Sequence, residues 1–168
     1  KEKQNPLFTT TLGTGEMIRD AICRGAERIF LGIGGSATND AGTGMAVALG
    51  YKFLDINGTE LKPTGGNLLS IKAIDDSNLY INPSEIDVQI ACDVDNPLYG
   101  YKGAAYIYGP QKGATPVIVN KLDKGLGNFA RIVAEKYGKN VSRMPGAGAA
   151  GGLGAGAVAF LNASLRSG

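Results

Sequence analysis

The sequence predicts an α/β fold, a mixed sheet with helices packed on it and glycine-rich loops running from strand to helix. Three observations lead there. Short apolar runs such as Arg28-Ile-Phe-Leu-Gly-Ile33 have strand character and pass directly into glycine-rich stretches. The segment from Thr115-Pro116 to Tyr137 repeats apolar residues at helical spacing. The 26 glycines in 168 residues are about twice the ordinary usage of roughly 7%, and they gather in loops with no fixed period. That distribution excludes a collagen-like chain or a flexible linker and favours close approach of backbone to a ligand.

Taken in order, Thr14 is placed to cap a first helix whose apolar face carries Ile18, Ala21, Ile22 and Ala26, with Gly25 near its end. Residues 28–33 then predict a short buried strand. A short helix over 41–49 follows and is stopped by Gly50. Residues 51–56 and 59–62 flank Asn57-Gly58, a strong two-residue hairpin signal, and predict an antiparallel ribbon. Two further strands are expected over 68–74 and 86–92, the second because Ile86, Val88 and Ile90 alternate with Asp87 and Gln89. The long helix has Thr115 as N-cap and Pro116 at its first helical position, with Val119, Leu122, Leu126, Phe129, Val133 and Tyr137 along one stripe. A last helix is expected over 157–165, after the glycine-rich run from Pro145 to Gly156.

A chain of this length is about the size of one domain. Hydrophobic residues make up 43% and the net charge is +2, which fits a packed core and excludes both disorder and a strongly polyanion-binding surface. Nucleic acid is therefore not an expected partner. Histidine is absent, so Ser-His, Cys-His and His-metal chemistry are excluded and any acid or base is Asp, Glu, Lys, Cys or Tyr. Cys23 and Cys92 stand far apart without Cys-x-x-Cys spacing, which signals neither zinc nor a disulfide framework and points to a reduced cytoplasm. No apolar run approaches the roughly 18 residues of a membrane helix, so no membrane partner is expected. Lys1 opens the chain without a methionine and Ser167-Gly168 closes it just past an apolar run, which leads us to expect a piece of a longer protein.

Three runs carry candidate chemistry. The first is GIGGSATNDAGTG over 32–44, where a strand meets glycines and a helix start, a general arrangement for holding an anion on backbone N–H groups. A Walker A loop needs Lys-Ser or Lys-Thr after its final glycine, and none is present. The dinucleotide fingerprint is met formally by Gly32, Gly34 and Ala37 with Asp55 near the place of a ribose-binding acid, although Asp55 adjoins the Asn-Gly turn. The plainer alternative is a packing turn, but Thr38, Asn39 and Asp40 are more ligand-like than packing requires. The second run is ACDVDNPL over 91–98. Asp93 and Asp95 place two carboxylates on one side of an extended chain, able to hold Mg²⁺ or to take a hydroxyl proton. Alternatively, Asp93 and Asn96 cap a turn before Pro97. The third is YGPQKGAT over 108–115, where Lys112 could neutralise phosphate and Gln111 could bond a polar substrate group, or the lysine could be solvated.

These runs in this order, with NPLFTTTLGTGE before them and PGAGAAGGLGAG behind, resemble the bacterial glycerate kinase family of the type acting on D-glycerate, over almost the whole chain. The resemblance implies ATP- and Mg²⁺-dependent phosphoryl transfer to D-glycerate, at the 2-hydroxyl, in a two-domain α/β enzyme. On this reading Asp93, Asp95 and Lys112 are expected to be catalytic and the two aspartates to bind the metal, with Asp40, Asp93 and Asp95 all open as the group that holds Mg²⁺ or accepts the hydroxyl proton. Gly34, Gly35, Ser36, Thr38, Asn39, Asp40, Asn96, Gln111, Gly151 and Gly152 would contact substrate or phosphate. Ala41 stands where the family usually has glycine, and Tyr99 where it often has cysteine. Motif segments that family members carry before and after this region are absent, which implies a middle domain inserted between two halves of another and a partner in the remainder of the parent chain. Two other classes stay open on the residues alone: a nucleotide-dependent oxidoreductase domain and a non-catalytic domain binding small carboxylates.

Overall fold

The structure, a computed structural model, describes residues 4–166. The elements are α1 (Leu12–Cys23), β1 (Arg28–Gly32), α2 (Thr43–Ala48), β2 (Lys52–Leu54), β3 (Ala73–Asp75), β4 (Asp87–Ala91), α3 (Ala104–Tyr108), α4 (Pro116–Tyr137), α5 (Ala149–Leu161) and β5 (Ser164–Arg166). The α/β class is as predicted, but the strands divide between two sheets. One is parallel, in the order β1-β4-β5, and the other is an antiparallel pair of β2 and β3.

The long helix forms as its sequence demands. The Thr115 hydroxyl accepts a hydrogen bond from Ile118 N, Pro116 opens the first turn, and Gly138 ends it in a left-handed conformation with φ 67°. Its stripe of Val119, Leu122, Leu126, Phe129 and Val133 is buried. Phe160 of α5 lies at the centre of the core, in ring contact with Tyr51, Phe53, Phe129 and Tyr137, and the Tyr51 hydroxyl donates to Phe160 O at 3.0 Å. Phe53, Phe129 and Phe160 are among the largest fully buried side chains, and aromatic rings of this kind bury large apolar area.

Several expectations are corrected. Thr11, not Thr14, is the residue before α1, and the helix ends ahead of Ala26. β1 is half-exposed rather than buried. Among the described residues it pairs on one side only, and while Ile29 and Leu31 turn inward, Phe30 on the opposite face is 73% exposed. The Asn57-Gly58 turn is present, held by Asp55 Oδ1 accepting from Asn57 N at 2.8 Å and Thr59 N at 2.9 Å. Its return arm makes a single bridge, Leu54 to Glu60, and β2 finds its main partner in β3.

The strand expected over 68–74 is a 3₁₀ turn, Gly65–Ser70, followed by the short β3. Asn128 of α4 donates to the carbonyls of Leu68 and Ile71, both at 2.9 Å, which satisfies them without a sheet neighbour. The last helix begins earlier and ends earlier than expected. Ala150, Gly151 and Gly152 are left-handed at its start, Asn162 (φ 52°) stops it, and Ser164–Arg166 becomes the third parallel strand. The helix of 41–49 starts only at Thr43, because Ala41 (φ 53°) and Gly42 (φ 74°) are left-handed. No helix among the described residues is long and apolar enough to cross a membrane.

Candidate functional site

In the register of β1 and β4, Gly32 stands beside Ala91. The chain therefore leaves both parallel strands at the same edge, so that residues 33–40 and 92–96 begin as neighbours. Carboxyl ends of parallel strands are where ligand sites gather in α/β folds. A cavity of about 750 Å³, open to solvent on one side, lies there. Its walls include Gly34, Gly35, Ser36, Asp93, Gln111 and Lys112 of the predicted residues. All three sequence runs thus reach one place.

The floor is the glycine loop. Gly34 and Gly35 are exposed, and a side chain built on either would meet nothing within 4 Å. Gly35 has φ 64°, a conformation that glycine adopts without strain. The loop is braced from behind: Ser36 Oγ accepts from Thr38 N at 3.1 Å and lies 3.0 Å from the Thr38 hydroxyl, and Thr9 Oγ1 donates to Ala37 O at 3.0 Å. Backbone in this position is open to an incoming group.

Lys112 is not a solvated turn lysine. The 3₁₀ turn Pro110–Lys112 and the left-handed Gly113 carry its side chain inward, and only 7% of the residue is exposed. Nζ donates to Thr38 O at 2.6 Å and to Ser36 Oγ at 3.5 Å, so the ammonium ties the third run to the first. Burial pushes its pKa down to about 8, with the Asp40 charge pulling the other way.

Four predicted contacts take other roles. Asp40 is fully buried and does not line the cavity: Oδ2 accepts from Thr11 N at 2.7 Å, Thr11 Oγ1 at 2.8 Å and Gly44 N at 3.1 Å, and Oδ1 from Gly42 N at 3.3 Å. Burial pushes its carboxyl up, while those hydrogen bonds oppose the shift. Since Met45 N also donates to Thr11 Oγ1, at 2.9 Å, the first amides of α2 are occupied by protein groups and do not form the anion site. Gly151 and Gly152 are buried against residues 38–41, with Gly151 O accepting from Ala41 N at 3.1 Å, and their lack of a side chain serves that close approach. Ala149 and Ala150 line the cavity in their place. Asn96 is a brace, donating from Nδ2 to Lys102 O at 2.8 Å and accepting at Oδ1 from the Tyr108 hydroxyl at 2.6 Å.

The two aspartates separate. Asp93 lies on the cavity wall and Asp95, also exposed, does not. β4 ends at Ala91, so the two-residue repeat of a strand no longer governs 93–95. Among the described residues no three His, Cys, Asp or Glu side chains gather as a metal cage. Asn39 is fully buried and off the wall, and among the described residues neither of its side-chain atoms has a hydrogen-bond partner. Asp55 is spent on its own turn, which removes the ribose-binding acid the dinucleotide reading needs.

Sequence reasoning missed Thr11, Thr9 and Tyr108. Tyr108 sat inside the third run, but nothing in its spacing marks it as a wall residue. Thr11 carries no local signal, as its partner Asp40 is remote in sequence.

A family model described as the glycerate kinase family matches residues 1–168. A glycerate kinase of Halalkalibacterium halodurans is 54% identical over 168 residues, covering 100% of this chain and 44% of that protein. A glycerate 2-kinase of Escherichia coli K12 is 48% identical over 167 residues, covering 99% of this chain and 44% of that protein. The crystal structure of a protein provisionally named glycerate kinase 2, from Salmonella typhimurium LT2, superimposes with a TM-score of 0.96 at 46% identity, over 99% of this chain and 45% of that one. The chain spans about 44% of the length of these curated relatives.

Proposed function

Because the chain belongs to the glycerate kinase family, we propose that the full-length protein transfers the terminal phosphoryl group of ATP to D-glycerate with Mg²⁺, at the 2-hydroxyl, giving 2-phosphoglycerate in the cytoplasm. In this reading the chain is one domain of a two-domain kinase, and the remainder completes the site. The observation that carries the proposal is the convergence of open glycine backbone, the buried Lys112 ammonium and the Asp93 carboxylate on one cavity wall.

Each group has a task that fits its surroundings. The amides of 34–36 and Lys112 receive phosphate oxygens, and charge developing on the transferred group is stabilised by donors already in place. Mg²⁺ takes one or two carboxylates together with phosphate oxygens and waters, so a single wall carboxylate fits it better than a cage would. Asp93 would hold the ion, which when bound screens phosphate charge; Asp95, off the wall, has no such part. Gln111 is placed to bond a polar substrate group, and holding the reactants in line supplies much of the remaining rate.

The test is ADP release by full-length protein supplied with D-glycerate, ATP and Mg²⁺, with phosphorus NMR to distinguish the 2-phospho from the 3-phospho product. Residues 1–168 alone are expected to fold without turning over. Absence of ADP release from the full-length protein refutes the activity, a 3-phospho product refutes the position, and turnover by the isolated chain refutes the shared site.

A further inference from the structure

Tyr108 joins the cavity wall through a chain of hydrogen bonds whose direction is fixed at one end. The Lys102 carbonyl only accepts, so the Asn96 amide must present Nδ2 to it, at 2.8 Å. Asn96 Oδ1 is thereby turned toward Tyr108, and since an amide oxygen only accepts, the phenol must spend its single hydrogen on that bond, at 2.6 Å. Among the described residues nothing donates to Tyr108 Oη, which keeps its lone pairs unclaimed. Tyr108 is half-buried on the same wall as Lys112 and Gln111.

We infer that Tyr108 reads a hydroxyl group of the substrate: the Lys102–Asn96–Tyr108 chain makes its phenol an acceptor only, which welcomes a donating alcohol and disfavours a carbonyl or an anionic oxygen. This rests on the reading of glycerate as the substrate. The rest of the wall is complementary. Backbone amides and the Lys112 ammonium offer hydrogens to anionic oxygens, while the Tyr108 phenol offers only lone pairs, as does the Asp93 carboxylate, which is assigned to the metal. A hydroxy acid is thus oriented by polarity, its carboxylate or an approaching phosphate at one part of the wall and an alcohol at Tyr108. Asn96 acts through Tyr108 as a positioning residue, because without it the phenol hydrogen is free to turn into the cavity.

The test is calorimetric binding of three ligands to the full-length protein, wild type and Tyr108→Phe. The ligands are D-glycerate, hydroxypyruvate, in which a carbonyl replaces the 2-hydroxyl, and D-lactate, which lacks the 3-hydroxyl. Wild type is expected to prefer D-glycerate, and Tyr108→Phe should narrow its preference over one of the two analogues by about two- to tenfold, the scale of one hydrogen bond. Asn96→Leu keeps the phenol but frees its hydrogen, and should narrow the same preference while the phenol remains. Preferences over both analogues that are unchanged in Tyr108→Phe overturn the inference with the glycerate reading intact. Failure of the wild type to bind D-glycerate overturns both, and is recognised before any variant is made.

Discussion

Replacing Lys112 by methionine tests whether a buried ammonium holds the glycine loop. The side chains are similar in length, so the change removes the charge and its bonds to Thr38 O and Ser36 Oγ while filling much the same space. Below about pH 8 both the folded and the unfolded wild type carry the ammonium, and folding bears the full cost of burying it. Between about 8 and 10.5 the folded chain has lost the proton and the unfolded chain has kept it. The unfolded state then binds more protons, so stability rises with pH across that window and levels off above it. At about 1.4 kcal/mol per pH unit, the gap is worth about 3 kcal/mol.

The assay is urea unfolding of wild type and Lys112→Met from pH 7 to 11, read as the difference in unfolding free energy. Titrations of groups remote from Lys112 cancel in that difference, and Tyr51, pushed up to about 12 by burial, stays protonated in both folded proteins. The wild type should gain about 3 kcal/mol on the variant between pH 8 and 10.5. In the full-length protein kcat/KM, which reports the free enzyme, should fall above about pH 8 as the ammonium is lost. A difference in unfolding free energy that is flat with pH refutes the reasoning: the lysine would then be hydrated and the loop held by other bonds.

The other wall and core groups give contrasting expectations. In the full-length protein Asp93→Asn should lower turnover by about 10²–10⁴ if the carboxylate takes the substrate proton, or raise the Mg²⁺ requirement if it holds the ion, while Asp95→Asn stays near wild type; equal losses in both would return Asp95 to the site. Asp40→Ala strands four donors on Thr11, Gly42 and Gly44 and should cost about 3 kcal/mol or more in urea unfolding; a loss under about 1 kcal/mol would mean water replaces the carboxylate. Gly35→Val places a β-branched residue at φ 64° beside open space and should weaken ATP or glycerate binding, read by calorimetry. Ser36→Ala loses the brace to Thr38 and the long contact from Lys112 Nζ, a change of about 0.5–1.5 kcal/mol in stability; tight binding by both variants would show that the loop holds no ligand.

The elements legible in the sequence are those whose cause is local. Thr115, Pro116 and the stripe ending at Tyr137 specify α4 without help from the rest of the chain, and the Ile86–Ile90 alternation specifies β4. The elements misread are those decided by a distant neighbour. Leu68 to Ile74 is apolar enough for a strand, but Asn128 supplies the hydrogen bonds a sheet neighbour would have given. Ser164–Arg166 reads as the end of a helix until β4 offers it a parallel partner at Gln89–Ala91. A propensity of a few tenths of a kcal/mol per residue yields to such pairings.

For the site, residue type announces that a polar group requires a partner but not whether that partner is a ligand or the protein. Asp40 and Lys112 both reverse expectation for this reason. The aspartate in the ligand-like run is satisfied by Thr11, 29 residues away, and the lysine in the ordinary turn reaches Thr38, 74 residues away. Each bond spans elements whose meeting is set by the β1–β4 register and by the packing of α1 on α2, neither of which leaves a mark within the motif itself. Asn39, between these two anchored positions, finds no side-chain hydrogen-bond partner among the described residues. Its flanks are fixed by Lys112 on Thr38 and by Thr11 on Asp40, so its backbone is held from both sides while the side chain is left unpaired. Such a group costs free energy in the core, and the chain bears that cost between two positions that long-range side-chain bonds hold in place.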